Sequence, residues 1–488
     1  MAGVIILILL YFITRLINLL NIPIFTDEAI YLRWAQIALG DPRWRFISLV
    51  DGKQPLFIWL LLPAIKFIAN PLLAGRLTSV MVGFSGFLGM IGLGYVVSKR
   101  FKVGLIAGVL YLLSPFFLLY DRLALYESLV LSISIWALLL TYLLGKTLRY
   151  DIALILGGVV GFGFLTKSSL SFFWFLLPLT VFLIDFKKSQ IKPKVLKWIS
   201  LLLVVTLVSQ LMIKVLYLAE FRHMVGLKNL TFVYSIGEFL EKPFLNLWGN
   251  FLGLSGWLIS YLTLPVFILV LVSLVWYLRK NLREGLFFLC YFVIPFVALA
   301  WFGKIIYPRF LLFMLPPLFL LIALFVNNLI KKKSLIMILI AAILVFAYPI
   351  YFQIKILTDP VRAPIPQTDY NQFINDWPAG YGISEIVKFL NQQAESKEVV
   401  IATEGTFGLF PMALELYLGE NKNIKIIPYW PVNEVPNELL VLAQSQEVYL
   451  VFKEKQNIPQ EWPLILVNQY QRGNGETYMK FFRVLPKT

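Results

Sequence analysis

The feature that most constrains this chain is a succession of unbroken apolar runs, about 18–26 residues each, that recur up to residue 352. A run of that length with few charges matches the hydrocarbon thickness of a bilayer. Lipid offers no hydrogen bonds to a backbone, so only helices and closed barrels cross it. The runs are continuous and do not alternate, which selects helices. Only 14% of residues are charged, against roughly 25% in soluble domains, so a water-soluble fold is excluded for this part. Spans are expected near 3–20, 72–97, 103–119, 124–144, 151–166, 169–186, 195–218, 256–278, 284–302, 309–327 and 334–352. The first run begins apolar almost at once and has no basic leader, so it reads as a retained span.

Charge sets the orientation. The net charge of +16 divides into +19 up to residue 352 and −3 beyond it. A basic excess between spans reports topology and not nucleic-acid binding. The basic loops are Lys99-Arg100-Lys102, Lys146/Arg149, Lys187 to Lys197, Arg279-Lys280-Arg283 and Lys331-Lys332-Lys333. With the N-terminus inside, eleven spans place all five loops on the cytoplasmic side of a plasma membrane. Segment 55–69 is short for a crossing and holds Pro63 and Lys66, so it reads as an interfacial or re-entrant helix. The loops 21–54 and 219–255 then lie outside, as does everything after residue 352. Nine of the twelve acids up to residue 352 fall on this outer face.

From about Gln353 the composition turns polar, and Pro360, Pro364, Pro366 and Pro378 mark an irregular entry. Helices are expected at 383–393, 408–418 and 437–444, and strands at 398–403, 424–427, 447–452 and 478–484. Strands alternating with helices predict a small α/β domain over 353–488. The expected architecture is an all-α polytopic membrane domain, 1–352, of about eleven helices plus an interfacial one, followed by that extracytoplasmic domain. The lone Cys290 allows no disulfide framework, and the lone His223 reads as a solvated loop residue.

The outer face carries the candidate chemistry. Asp27 and Glu28 open a predicted helix, where acids suit the first turn. At a membrane rim the same pair offers a general base and a metal ligand. Lys53, in Asp51-Gly52-Lys53-Gln54-Pro55-Leu56, stands at headgroup depth, either snorkelling or gripping a phosphate. Asp121 and Arg122 read as a local ion pair at a helix entry. Glu127 falls inside an apolar run, where a carboxylate demands a partner or a wet cavity. Lys167 sits in a tight outer turn, and Arg309 follows Tyr307-Pro308; a guanidinium binds phosphate oxygens bidentately. For Lys167 and Arg309 each taken alone, an interfacial snorkel is the better explanation.

The order of these motifs resembles the protein O-mannosyltransferase and aminoarabinose-transferase group of GT-C glycosyltransferases. The resemblance covers roughly residues 1–330. It is carried by Asp27-Glu28, Lys53-Gln54-Pro55-Leu56, Tyr120-Asp121-Arg122-Leu123-Ala124 with Glu127, Leu165-Thr166-Lys167-Ser168, Arg309-Phe310-Leu311-Leu312 and Leu315-Pro316-Pro317. It implies an inverting transfer of a sugar from a polyprenyl or dolichyl phosphate to a hydroxyl on a protein, lipid or glycan at the outer face. Asp27 then matches the family's first-loop acid, with Glu28 beside it and Glu127 as the second acid. Lys53 and Arg309 match the residues that hold the lipid phosphate. Arg122 matches the second-loop arginine, Lys167 a basic turn residue, and Tyr307 stands with Arg309 on the donor side. Asp27 and Glu127 are the acids a divalent metal would use, yet Gly52 occupies the position where some relatives carry a metal-binding acid. Two other classes remain open from sequence: a transporter or flippase of lipid-linked sugars, and a non-catalytic scaffold. No internal repeat of the transporter kind is visible, and no nucleotide-binding motif is present.

Overall fold

The computed structural model describes residues 2–186, 191–331 and 334–486. Lys187, Lys188, Lys332 and Lys333, parts of two of the basic loops, lie outside the described residues. The chain forms two units: one of residues 1–17, 45–60 and 76–357, the other of 18–44, 61–75 and 358–488. The second unit therefore takes in most of the first outer loop along with the C-terminal residues.

The first unit is helical. Among the described residues five helices are long and apolar enough to cross a bilayer, and three further bent pairs pass that test together. Length and composition thus account for up to eight spans. The other three predicted spans fall on shorter apolar segments, Ala2–Leu16, Tyr150–Thr166 and Ser168–Leu183. The helix Leu56–Phe67 has 12 residues and is about 18 Å long, well short of the roughly 30 Å hydrocarbon core.

The bends correct the sequence reading. The run 103–119 is two helices, Phe101–Leu112 and Pro115–Asp121, meeting at 70°. Ser114 causes the break: its side chain caps the second helix through Phe117 N, with Pro115 at the first helical position. The run 256–278 belongs to Leu247–Leu262 and Leu264–Lys280, which meet at 104° across Thr263. Thr263 has a φ of +70°, a backbone state that ends a helix. The outer loop expected over 219–255 is itself largely helical, with Met224–Phe232, Ile236–Glu241 and the start of Leu247–Leu262. Pro316 and Pro317 start the helix Pro316–Ile330, and the 3-10 turn Pro308–Met314 precedes it at 56°. A helical donor is missing at each proline, so the chain turns there at little cost.

The second unit holds a mixed sheet of strands β1 Val399–Glu404, β2 Ile424–Tyr429, β3 Glu447–Phe452, β4 Leu464–Gln471 and β5 Tyr478–Val484. Their spatial order is β2-β1-β3-β5-β4. β1 pairs in parallel with β2 and β3, and β5 pairs antiparallel with β3 and β4. β4 is absent from the sequence reading because most of its residues are exposed and show no apolar alternation. The core runs through Val400, Ala402, Val448, Leu450, Phe452 and Phe482. The segment around residue 25 is tied into this unit by a bridge between Phe25 and Ala379 and by Gly380 N donating to Ile24 O at 2.8 Å. The helix Thr26–Gly40 docks on Leu409–Leu418 through an Arg33–Glu415 ion pair of 3.0 Å.

Candidate active site

Helix starts and tight turns in the first unit bring four cations toward two carboxylates. Glu127 lies in the first turn of Tyr126–Thr147 and is buried. A carboxylate there is favoured by the helix N-terminus, and it is also paired. The Lys167 ammonium donates to it at 2.7 Å, and the Arg309 guanidinium nitrogen lies 3.8 Å away. Lys167 is held by backbone geometry: it ends Tyr150–Thr166 in an extended conformation and so turns its side chain away from the helix axis. Its ammonium also lies 4.9 Å from the Phe310 ring centre, and the Arg309 guanidinium lies 4.9 Å from that of Tyr307. The Tyr307 and Phe310 rings meet edge to face at 5.8 Å, which fixes the turn carrying Arg309.

Asp51, Lys53 and Lys228 form a second cluster in the same unit. Lys228 donates to Asp51 at 2.7 Å, and Lys53 lies 3.4 Å from the other carboxylate oxygen. Gly52 makes this turn. Its φ is +66°, and a Cβ there would stand 2.4 Å from the Met224 carbonyl oxygen. A side chain there would meet the backbone of Met224. Gln54 joins the two clusters. Its side-chain amide donates to Ser168 Oγ at 2.8 Å, beside Lys167, and its backbone carbonyl accepts from Tyr126 Oη at 2.7 Å, beside Glu127. Lys53, Lys167, Lys228 and Arg309 thus gather around the two carboxylates Asp51 and Glu127. Such an arrangement attracts an anion with several oxygens, a phosphate above all.

Arg122 does not pair with Asp121. The side chain is buried, and one of its terminal nitrogens donates to the carbonyls of Thr14, Arg15 and Ile17 at 3.3, 2.8 and 2.7 Å. These are the carbonyls left over at the end of Ala2–Leu16, so Arg122 caps that helix. Asp121 pairs instead with Arg15 at 3.4 Å, both fully buried, and accepts from the Tyr111 hydroxyl at 3.2 Å. Gly83 makes room for it, since a Cβ there would lie 2.4 Å from its carboxylate. Sequence reasoning missed Arg15, Lys228 and Gln54. Arg15 has a legible signal, a charge at the end of an apolar run; Lys228 and Gln54 have none, because their partners are far away in sequence.

In the second unit, Asp27 is half-buried in the first turn of Thr26–Gly40. Glu28 is fully buried and its carboxylate accepts from Phe25 N at 3.0 Å, so it closes the start of this helix. Thr26 fixes the same turn, its backbone and side chain both donating to Pro378 O at 3.0 Å. Among the described residues no group of three or more Asp, Glu, His or Cys side chains comes together as a metal cage.

No protein-family model and no curated protein sequence matches the chain. Solved structures do. ArnT from Cupriavidus metallidurans bound to undecaprenyl phosphate aligns with a TM-score of 0.61 at 12% identity, over 99% of this chain and 97% of that one. The archaeal oligosaccharyltransferase AglB from Archaeoglobus fulgidus, in complex with an inhibitory peptide and a dolichol-phosphate, aligns at 0.52 and 12% identity, over 92% and 69%. Both are GT-C membrane glycosyltransferases. At this identity the likeness shows the fold: the chain has the GT-C architecture of an integral membrane protein, with a small C-terminal sheet domain.

Proposed function

We propose that the chain is an inverting glycosyltransferase that moves a sugar from a polyprenyl-phosphate donor to a hydroxyl acceptor at the outer membrane face. The observation that carries this reading is the gathering of Lys53, Lys167, Lys228 and Arg309 around Glu127 and Asp51, at helix starts and turns. A lipid-linked sugar phosphate presents an apolar tail and an anion at one depth, and this cluster matches both. The fold supports it as well: ArnT and AglB are described with undecaprenyl phosphate and dolichol-phosphate.

The reaction needs three things. The acceptor oxygen attacks the anomeric carbon from the side opposite the phosphate, so the configuration inverts. The bond from that carbon to the phosphate oxygen breaks, and polyprenyl phosphate leaves. Lys53, Lys167, Lys228 and Arg309 offset the negative charge that gathers on the leaving oxygen. Glu127 holds Lys167 and Arg309 in place for that work. Asp27 takes the acceptor's proton; this assignment rests on the family resemblance and on its half-buried position at a helix start. Arg122 serves by fixing the end of the first helix. The outer-face location rests on the basic loops. A resident metal is not part of the scheme.

The test is transfer from a radiolabelled polyprenyl-phosphate hexose by purified protein in lipid, with a mixed pool of proteins, glycolipids and glycans. Label passing from lipid to acceptor supports the reading. Label that stays on the lipid and crosses the bilayer supports a flippase and rejects it.

A further inference from the structure

The cationic clusters leave the carboxyl edge of the five-stranded sheet without a role. The chain leaves β1 through Leu409–Leu418 to β2 on one side, then returns through Asn437–Leu442 to β3 on the other. The strand order therefore reverses between β1 and β3. Open α/β sheets bind ligands outside the carboxyl ends of their strands at such a point.

The side chains at this edge are arranged around one ammonium. Glu404 ends β1, and its buried carboxylate accepts from the amides of Lys453 and Glu454 at 2.7 Å each. That clamp fixes the end of β3 against β1. Lys453 is itself only 6% exposed. Its ammonium lies 4.5 Å from the Trp377 ring centre, 5.7 Å from that of Trp430 and 3.3 Å from the Glu454 carboxylate. Gly405, with a φ of +124°, makes the space: a Cβ there would come within 3.3 Å of Lys453 Cε. Trp430 nevertheless stays 56% exposed and Phe407 45% exposed, with the Phe407 ring 6.2 Å from that of Trp34. Exposed aromatic faces beside a sequestered ammonium suit a sugar ring. Its C–H faces stack on indole and phenyl, and its hydroxyls take hydrogen bonds from the ammonium. A bare apolar peptide has no use for the ammonium.

The edge also reaches the helix that carries Asp27. A Cβ on Gly408 would lie 3.6 Å from Thr26 Cγ2, and Thr26 is bonded to Pro378, the neighbour of Trp377. All these residues belong to the second unit. We infer that this edge, which carries Phe407, Trp430, Trp377 and Lys453, is a saccharide-binding site, and that the acceptor is a glycan whose sugar end it holds. The acceptor role rests on the proposed transfer reaction; the binding does not.

The experiment measures equilibrium dialysis of labelled mannohexaose, chitohexaose and a hyaluronan hexasaccharide against the full-length protein in lipid nanodiscs. At least one probe binds the wild type, and Phe407→Ala, Trp430→Ala and Lys453→Met each weaken it by about tenfold or more. The first two replace exposed rings, so their thermal midpoints should match wild type, which separates lost binding from lost folding. Binding of none of the three probes, or equal binding by well-folded variants, overturns the inference. Weakened probe binding in a protein that transfers no sugar from any lipid donor keeps the saccharide site and removes the transfer reading. Unchanged probe binding by the variants of a protein that does transfer removes the saccharide site alone.

Discussion

Asp121 and Glu127 are both buried acids near one helix entry, yet their surroundings give them different work. Asp121 is closed in by Arg15, Tyr111 and the bare backbone of Gly83, with every nearby group turned toward it. It is a structural tie, and Asp121→Ala should destabilise the protein by about 3–5 kcal/mol, because it leaves the Arg15 charge buried without a counter-ion. A thermal or denaturant midpoint indistinguishable from wild type would reject that role. Glu127 faces two cations, one of them 28% exposed, so its cluster is open to a ligand. At Lys53 the account expects Lys53→Ala to raise the KM for the lipid donor about tenfold with the fold intact, a loss of roughly 1.4 kcal/mol of binding. Equal KM values would remove Lys53 from the donor site. Residue types were legible at this scale and partners were not. Glu127 was marked by its burial in an apolar run, but Asp121 and Arg122 were paired wrongly, because adjacency in sequence says nothing about which way two side chains point.

Helix starts and turns, more than the helices themselves, set the chemistry. The carboxylate of Glu28 closes the start of Thr26–Gly40, the element that also carries Asp27. Glu28→Ala should cost about 1 kcal/mol of stability through the lost cap, with turnover retained; abolished turnover at wild-type stability would make Glu28 a catalytic residue. The Gly52 turn is stricter. Gly52→Asp would place a side chain against the Met224 carbonyl in a left-handed backbone state, so it should lower thermal stability and raise the donor KM together. A variant that keeps both at wild-type values would show that the turn is slack. Apolar run lengths made the long helices legible, since lipid tolerates little else. The bends at Ser114, Thr263 and Pro316 were hidden because the runs continue unbroken through them. β4 was hidden for the opposite reason, since a mostly exposed strand has no buried face to print an alternation.

At the scale of the whole molecule, the membrane part and the α/β part were both legible, the first from apolar length and the second from alternating strand and helix patterns. What sequence order concealed is that residues 18–44 and 61–75 group with the C-terminal residues. For residues 18–44 that grouping follows from the Phe25–Ala379 bridge and the Arg33–Glu415 pair, neither of which leaves a trace in sequence spacing. The proposed sidedness has its own test. In a Cys290→Ser background, a cysteine replacing the exposed Ser445 should react with a membrane-impermeant maleimide in intact cells, and one replacing Lys102 should not. The reverse pattern would invert the topology and move the proposed chemistry to the cytoplasmic face.

The central claim is that this fold breaks a sugar–phosphate bond and that Asp27 takes the acceptor's proton. The most direct measurement is single-turnover release of polyprenyl phosphate from a labelled lipid-linked hexose, in the presence of acceptor, by wild type and by Asp27→Asn. The account predicts release coupled one-to-one to product of inverted configuration in the wild type, and none in the variant at equal thermal stability. Release by Asp27→Asn at the wild-type rate, or retained configuration in the product, would contradict it.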